Sequence, residues 1–407
     1  GNLELKTPFT NYKADEIGLV YCITGDSKGN IWLGTKGNGL YKATPVNLQN
    51  SQYTLKQFKA DKNNPASISS NEIYSVLEDK KGRIWIGAYD NGINLLEEKN
   101  GEYIFIHHFK NYPTIESSKV RYLAQGYKGQ IWVATTNGLV TFNPENYDFS
   151  KLKFSRYKKM PTDKFSLGSN DVLFIFKDSA DKMWISTAGG GLSQVIEKGN
   201  GLKFKNFTKD DGLPSDFILS MAEDDQKNLW LATENGISKF HLRNHIFRNY
   251  DSYDGLVKTG FSESAGIKLV NGNLVFGNRN GYLTFNPKKI ENQKTSTKMV
   301  FTGFEINNKN SNVKSAEYHL ESDINYINNI ELNYTENTIS IYYTVLDYIS
   351  NNKQLYAYRL KGLDDTWHEV KNQKKATFTN LPPGDYEFEV KCLNTELYTT
   401  TPQKNLT

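Results

Sequence analysis

Apolar residues in this chain come in short runs separated by polar turns, and the runs recur at a nearly fixed distance. The clearest unit is Asp26-Ser27-Lys28-Gly29-Asn30-Ile31-Trp32-Leu33-Gly34-Thr35, closing at Gly39-Leu40. It returns from Asp79 through Trp85 to Gly92-Ile93, and from Gly129 through Trp132 to Gly138-Leu139. Two further copies run from Asp178 through Trp184 to Gly191-Leu192, and from Asp225 through Trp230 to Gly236-Ile237. A sixth, degenerate copy runs from Asn271 to Gly281-Tyr282 with Val275 at the Trp position. Successive copies are 53, 47, 52, 46 and 45 residues apart, and five of the six tryptophans fall on this ruler.

The pattern inside each unit predicts strands. Asp-x-x-Gly is a tight turn: the carboxylate takes nearby backbone N–H groups and glycine supplies the positive φ. The Trp segment reads as a strand buried on both faces, with Gly or Ala where a neighbouring sheet comes close. An apolar run precedes each turn, as in Ile73-Tyr74-Ser75-Val76-Leu77, another follows the closing Gly, and a fourth carries spaced aromatics, as in Tyr103-Ile104-Phe105. Four short strands per repeat of this length define a β-propeller blade, and helical solenoids are excluded because long amphipathic stretches are absent. Residues 5–12 are expected to supply a strand that completes the last blade. Six blades are detectable; a seventh needs about 45 further residues, for which the chain has no room, so it would lie upstream in the parent.

After Pro287 the repeat ends in a polar stretch, and alternating strands with turn signals follow: 300–306, 339–345, 356–360, 377–379 and 386–391. The expected organisation is a propeller over residues 1–287, a linker over 288–297 and an immunoglobulin- or fibronectin-like sandwich over 298–407, its last strand cut short.

Composition narrows the function. Lys+Arg 49 against Asp+Glu 45 gives a net charge of +4 with signs interspersed, which argues against a nucleic-acid or anionic-membrane surface. Cys22 and Cys392 stand far apart without Cys/His spacing, so both read as buried apolar residues, and no thiol metal site or disulfide framework is expected. His241 and His245 have i, i+4 spacing but lie in a segment between blades, and His107-His108 sit in a strand whose alternation points them apart; neither pair reads as a metal site, and no cofactor is expected. The start, Gly1-Asn2-Leu3, carries no leader of the basic-then-apolar kind and no Met, as in an excised fragment.

The Asp-x-x-Gly-x-Ile-Trp-Ile-Gly-Thr…Gly-Leu unit resembles the two-component regulator propeller repeat. Tyr356-Ala357-Tyr358-Arg359-Leu360-Lys361-Gly362, Trp367 and Asn380-Leu381-Pro382-Pro383-Gly384-Asp385-Tyr386 together resemble the Y_Y_Y domain, with Phe378 at its middle Tyr. Together they are similar to the sensor region of hybrid two-component systems of polysaccharide-degrading Gram-negative bacteria. That resemblance implies a periplasmic ectodomain, dimeric in its parent, followed by a membrane helix and by cytoplasmic kinase and DNA-binding parts absent here. It implies an oligosaccharide ligand and control of glycan-utilisation genes. Such regions typically carry two propellers, and one fits here.

In a propeller, the loops after each Trp strand and those entering each blade share one face. This nominates Asn71, Tyr89, Asp90, Arg121, Asn137, Asn170, Asp216, Glu234, Asn235, Arg279 and Asn280 as ligand-binding candidates, since sugars want aromatic faces and planar polar groups. Tyr89 and Arg279 stand out among small or polar equivalents. Trp32, Trp85, Trp132, Trp184 and Trp230 read as core. The leading expectation is a non-catalytic sensor of an oligosaccharide. The alternatives are a scaffold for protein–protein interaction and a propeller-fold glycan hydrolase or lyase using Asp90 and Glu234.

Overall fold

A computed structural model describes residues 8–12, 14–47, 52–109, 111–113, 119–145, 151–197, 201–256, 260–290, 297–314, 320–346, 354–371, 373–393 and 402–407. The chain divides into two compact units, Gly1–Pro287 and Lys288–Thr407. Most of the expected linker, residues 291–296, lies outside the described residues.

The first unit opens with one helical turn, α1 (Ala14–Ile17), and then builds six antiparallel sheets in chain order. Blade 1 is β1 (Val20–Gly25), β2 (Ile31–Thr35), β3 (Leu40–Asn47) and β4 (Gln52–Phe58). Blade 2 is β5 (Ile73–Glu78), β6 (Ile84–Ala88), β7 (Gly92–Lys99) and β8 (Glu102–Ile106). Blade 3 is β9 (Val120–Gln125), β10 (Ile131–Thr135), β11 (Gly138–Phe142) and β12 (Phe154–Tyr157). Blade 4 is β13 (Val172–Lys177), β14 (Met183–Thr187), β15 (Gly191–Glu197) and β16 (Lys203–Phe207). Blade 5 is β17 (Ile218–Glu223), β18 (Leu229–Thr233), β19 (Gly236–His241) and β20 (Ile246–Tyr250). Blade 6 has three described strands, β21 (Phe261–Lys268), β22 (Leu274–Asn278) and β23 (Gly281–Phe285).

The repeat tryptophans are buried, and each seals its blade to the next. Trp32 packs with Ile73, Val76 and Ile86 of blade 2. Trp85 packs with Val120 and Leu123 of blade 3, Trp132 with Val172 and Ile175, and Trp184 with Ile218 and Met221. Close approach demands small residues on the Trp strand. A Cβ on Gly34 would lie 2.7 Å from the Ile73 carbonyl oxygen, and one on Gly87 would lie 2.6 Å from Val120 Cγ1.

A carboxylate locks four of the five repeat indoles. In blade 1 Trp32 Nε1 donates to Asp26 Oδ2 at 2.8 Å, while Asp26 Oδ1 accepts from the backbone N–H of Lys28 and Asn30 at 3.0 and 2.8 Å. The same clasp joins Trp85 to Asp79 at 3.0 Å, Trp184 to Asp178 at 2.9 Å and Trp230 to Asp224 at 2.8 Å. The turn aspartate of the fifth copy is therefore Asp224, not Asp225: only the carboxylate six residues before the tryptophan reaches its indole. Blade 3 has Gly126 at that place, and Trp132 Nε1 is left without a hydrogen-bond partner.

Three sequence expectations are corrected. Of residues 5–12, the described part (8–12) does not complete the last blade; it lies along β4 of blade 1, where Phe9 bridges Tyr53. His241 and His245 flank the hairpin between β19 and β20, within blade 5 rather than between blades, and the His245 N–H donates to the His241 carbonyl at 2.9 Å. His107 and His108 follow the end of β8, where strand alternation no longer holds, and their rings meet at 4.2 Å.

The second unit is a β-sandwich. One sheet is β24 (Met299–Ile306), β25 (Lys309–Ser311), β26 (Ile339–Val345) and, beyond two intervening strands, β29 (Lys375–Phe378), ordered β25-β24-β26-β29. The other contains those intervening strands, β27 (Leu355–Lys361) and β28 (Asp364–Lys371), with β30 (Glu387–Cys392) and β31 (Gln403–Leu406), ordered β28-β27-β30-β31. Phe301, Tyr343, Tyr356, Leu360, Phe388 and Val390 fill the space between the sheets. The Tyr386 hydroxyl donates to the Pro382 carbonyl at 2.7 Å and pins the turn before β30. β28 escaped the sequence reading because its Asp364-Asp365 start mimics a turn. The expected cut strand at the C-terminus is β31, which pairs along β30 with Leu406 buried.

Removing one clasp tests its weight. Asp178→Ala strands a buried indole N–H and the turn N–H groups, and urea unfolding is expected to register a loss of about 1–3 kcal/mol. Burial pushes the Asp79 carboxyl up, but bonds from Trp85, Arg83 and Lys81 outweigh it and hold the group below its ordinary 3.8. A depressed folded value contributes stability above the unfolded value that is lost as pH falls through the folded one. Asp79→Asn should therefore flatten the acid limb of a Tm-versus-pH curve.

Candidate functional site

The loops after the Trp strands and those entering the blades meet on one face of the propeller. Gly37 N–H donates to the Asn71 carbonyl at 3.0 Å, and Tyr89 N–H to the Glu72 carbonyl at 3.0 Å. Gly138 N–H reaches Asn170 O at 2.6 Å, Gly191 N–H reaches Asp216 O at 2.9 Å, and Arg279 N–H reaches Gly260 O at 3.1 Å.

Several nominated side chains are occupied by this stitching. Asn71, Asn170 and Asp216 accept through Oδ1 from the backbone N–H of Ala60, Lys159 and Lys209, at 2.9, 2.7 and 2.8 Å. Their equivalent positions in three blades identify a structural device, and a ligand would have to displace it. Asn235 Nδ2 likewise donates to Pro214 O at 3.1 Å. The N–H of Asn137 donates to Thr135 Oγ1 at 3.1 Å, and that of Asn280 to Asn278 Oδ1 at 2.9 Å, which fixes their turns. Asp90, Glu234 and Arg279 are exposed. Asp90 belongs to blade 2 and Glu234 to blade 5, so two blades intervene between these carboxylates.

Tyr89 and Arg121 do come together, through a device that the repeat builds into each first strand. The register with the Trp strand skips one residue in blades 1 to 5, which makes Tyr21, Tyr74, Arg121, Leu173 and Leu219 bulge residues. A bulge re-aims its side chain away from strict alternation. Tyr21 stacks on Tyr74 with centroids 4.2 Å apart and planes 25° apart, and Tyr74 on Tyr89 at 4.5 Å and 20°. The ladder ends beneath cations: Lys36 Nζ is 5.8 Å from the Tyr21 centroid, and Lys119 Nζ is 5.6 Å from that of Tyr89.

Arg121 lies 5.9 Å over the Tyr89 ring and is held by carboxylates of two other blades. Nε and Nη2 donate to Asp171 at 2.8 and 3.0 Å, and Nη1 donates to Glu263 at 2.9 Å. Burial opposes its charge, but Glu263 and Asp171 raise the guanidinium's pKa further. Burial, and then Tyr21 and Tyr89, push the Tyr74 phenol well above its ordinary value, so it is a neutral hydrogen-bonding group. The sequence reading named Tyr89 and Arg121 but missed Tyr21, Tyr74, Lys36, Asp171 and Glu263. The second position of each first strand, read down the repeat, was the signal for the two tyrosines; nothing local signals Glu263.

A separate cavity lies in the second unit. About 550 Å³ opens in the sandwich between residues 329–337 and 381–386, over Phe304, Ile341, Leu360 and Phe388, with Glu331, Glu336 and Asp385 among its lining. Among the described residues no cationic side chain lines it. The propeller mouth combines aromatic and ionic groups and is the better candidate for a polar ligand.

Fold and site together define a propeller with a polar, aromatic channel mouth, followed by a β-sandwich. The two-component regulator propeller model matches residues 17–37, 67–90 and 212–235, and the Y_Y_Y domain model matches residues 347–402. The chain thus carries segments that match the two-component regulator propeller repeat, followed by a segment that matches the Y_Y_Y domain. It is 26% identical over 335 residues to histidine kinase P4 of Formosa agariphila, covering 80% of this chain and 23% of that protein. It is similar in fold to the extracellular domain of the hybrid two component system BT3049 of B. thetaiotaomicron, at TM-score 0.57 and 24% identity, covering 98% of this chain and 56% of that one. The chain therefore spans about a quarter of the first protein and about half of the second. No helix among the described residues is long and apolar enough to cross a membrane.

The bidentate geometry predicts an order of coupling energies. A double-mutant cycle of Arg121→Met with Asp171→Asn should give a larger coupling than one with Glu263→Gln, each about 0.2–1 kcal/mol for partly exposed pairs. Chemical denaturation of the four variants in each cycle measures this.

Proposed function

We propose that this chain is a ligand-sensing part of the periplasmic region of a hybrid two-component histidine kinase, and that its ligand is an oligosaccharide bound at the propeller mouth. The observation that carries this reading is the Tyr21–Tyr74–Tyr89 ladder beside Arg121, Lys36 and Lys119. Ring edges, phenolic hydroxyls and fixed guanidinium and ammonium groups suit a ligand with C–H-rich faces and many hydroxyls. The mixed charge there, with Asp171 and Glu263 balancing Arg121, favours an uncharged polyol over a strongly ionic ligand.

The similarity to a histidine kinase and to the extracellular domain of a hybrid two component system supports the sensory role. In this reading the region is non-catalytic. Ligand binding shifts an equilibrium between two arrangements of a dimeric parent, and the Y_Y_Y domain relays that shift to the kinase and to transcription of glycan-utilisation genes. Such a relay requires different affinity for the two arrangements.

Calorimetry against a panel of neutral and charged oligosaccharides tests the proposal. A neutral oligosaccharide should bind without turnover, and Tyr89→Ala or Tyr74→Ala should weaken it about tenfold, the equivalent of about 1.4 kcal/mol. Glycan cleavage abolished by Asp90→Asn or Glu234→Gln would instead establish an enzyme. No heat with any glycan, together with a stable protein partner, would establish a scaffold.

A further inference from the structure

The cavity of the second unit lies at one end of the sandwich, and both sheets contribute its floor. Phe304 of β24 and Ile341 of β26 come from one sheet, Leu360 of β27 and Phe388 of β30 from the other. All four belong to the hydrophobic core, so the cavity reaches into the space between the sheets rather than resting on one of them. Its volume, about 550 Å³, falls inside the range of roughly 300–1,000 Å³ that small-molecule sites occupy.

Both walls are fixed by the protein's own bonds. The wall formed by residues 329–337 is tied to the end of β31, since Ile330 N–H donates to Thr407 O at 3.0 Å and Thr407 N–H to Asn328 O at 3.1 Å. Its turn is closed by Glu336 N–H on Asn333 O and by Asn333 N–H on Glu336 Oε2, both at 2.8 Å. The facing wall, residues 381–386, carries Pro382 and Pro383, whose rings restrict φ, besides the Tyr386 hydroxyl bond to Pro382 O. Leu381 N–H donates to Asn337 O at 2.9 Å and joins the two walls. A cavity held in this way loses little freedom when a ligand enters.

The charge of the cavity is uncompensated. Elsewhere in the sandwich carboxylates are neutralised: Glu305 by Lys375 at 2.9 Å, and Glu389 by Arg359 and Lys361 at 2.6 and 2.7 Å. Glu331, Glu336 and Asp385, which line the cavity, have no ion-pair partner among the described residues. The sequence sharpens the contrast. Residues 315–352 hold Glu317, Glu321, Asp323, Glu331, Glu336 and Asp347 but no Lys or Arg, in a chain whose net charge is +4. Like charges beside a low-dielectric floor set up a field that draws cations. Tyr334, 90% exposed and also part of the lining, adds an aromatic ring to the rim, and such a ring attracts cations as well.

We propose that the sandwich carries a second ligand site, chemically distinct from the propeller mouth, and that this cavity takes a small organic cation. The ligand lays an apolar aliphatic or aromatic body on Phe304, Ile341, Leu360 and Phe388, and places a primary ammonium or guanidinium group among Glu331, Glu336 and Asp385. An oligosaccharide suits the cavity poorly, because the side chains of that floor offer its hydroxyls no partners and burying them unpaired is costly. An anionic ligand meets like charge. The site does not depend on the sugar reading of the propeller and stands or falls without it.

Calorimetry on the 407-residue chain with matched probes tests the proposal. Phenylbutylamine should bind, and phenylbutyrate, which reverses the charge, and butylamine, which lacks the ring, should each bind at least about tenfold more weakly. Glu331→Gln combined with Asp385→Asn should weaken the amine at least about fivefold, with Tm shifted by no more than about 1 °C, as at exposed positions. Salt gives the same reading without a variant: raising NaCl from about 20 mM to about 500 mM should weaken the amine several-fold. Hydrogen exchange locates the probe, since saturating phenylbutylamine should slow exchange in residues 329–337 and 381–386. No binding of the amine, equal binding of amine and acid, or an affinity indifferent to salt and to the double variant would overturn the proposal. So would protection confined to the propeller mouth, which would place the amine on the tyrosine ladder. Binding of a Phe-Lys peptide amide without binding of the free amine would make a protein segment the occupant and overturn it too.

Discussion

A carboxylate placed six residues before a tryptophan organises the propeller. One oxygen of Asp26, Asp79, Asp178 or Asp224 gathers the N–H groups of its turn, and the other holds the indole N–H of the strand that follows the turn. With its one polar atom satisfied, the indole can be wholly buried, and its large apolar surface seals one blade to the next. Turn, strand register and inter-blade packing are therefore coupled through one side chain. Blade 3 shows the limit of the device: Gly126 removes the carboxylate, Trp132 stays buried with its N–H orphaned, and packing alone keeps the geometry.

The candidate site grows out of the same regularity. A repeated bulge at the second residue of the first strand turns one side chain out of alternation in each of blades 1 to 5, and three of these residues, Tyr21, Tyr74 and Arg121, build the candidate site. Scaffold and specificity are separated: the bulge is constant while its residue varies. The stitching by Asn71, Asn170 and Asp216 belongs to the constant part, which is why polar character alone was a poor guide to ligand contact.

Much of the fold was legible along the chain. The tryptophan period, the turn aspartates and the closing glycines are local signals, and they act locally, through i to i+2, i+4 and i+6 bonds. The misplacement of Asp225 for Asp224 is instructive, because two adjacent aspartates are equivalent to a motif and only indole geometry separates them. β28 was hidden by a start that reads as a turn, and the orientation of His107-His108 was misjudged because the exact strand end decides where alternation stops.

The sequence by itself determined the blades, the buried indoles and the second, Y_Y_Y-type sandwich, since each rests on contacts within one repeat or on hydropathic alternation. Only the tertiary structure decided which side chains meet. Tyr21, Tyr74 and Tyr89 stack although they come from three separate segments, and Arg121 is held by Glu263, 142 residues away. It also decided that Ile23 and Tyr282, ordinary core residues by pattern, stand bare. Burial is a relation between neighbours, and the period along the chain says which face is apolar without saying what covers it.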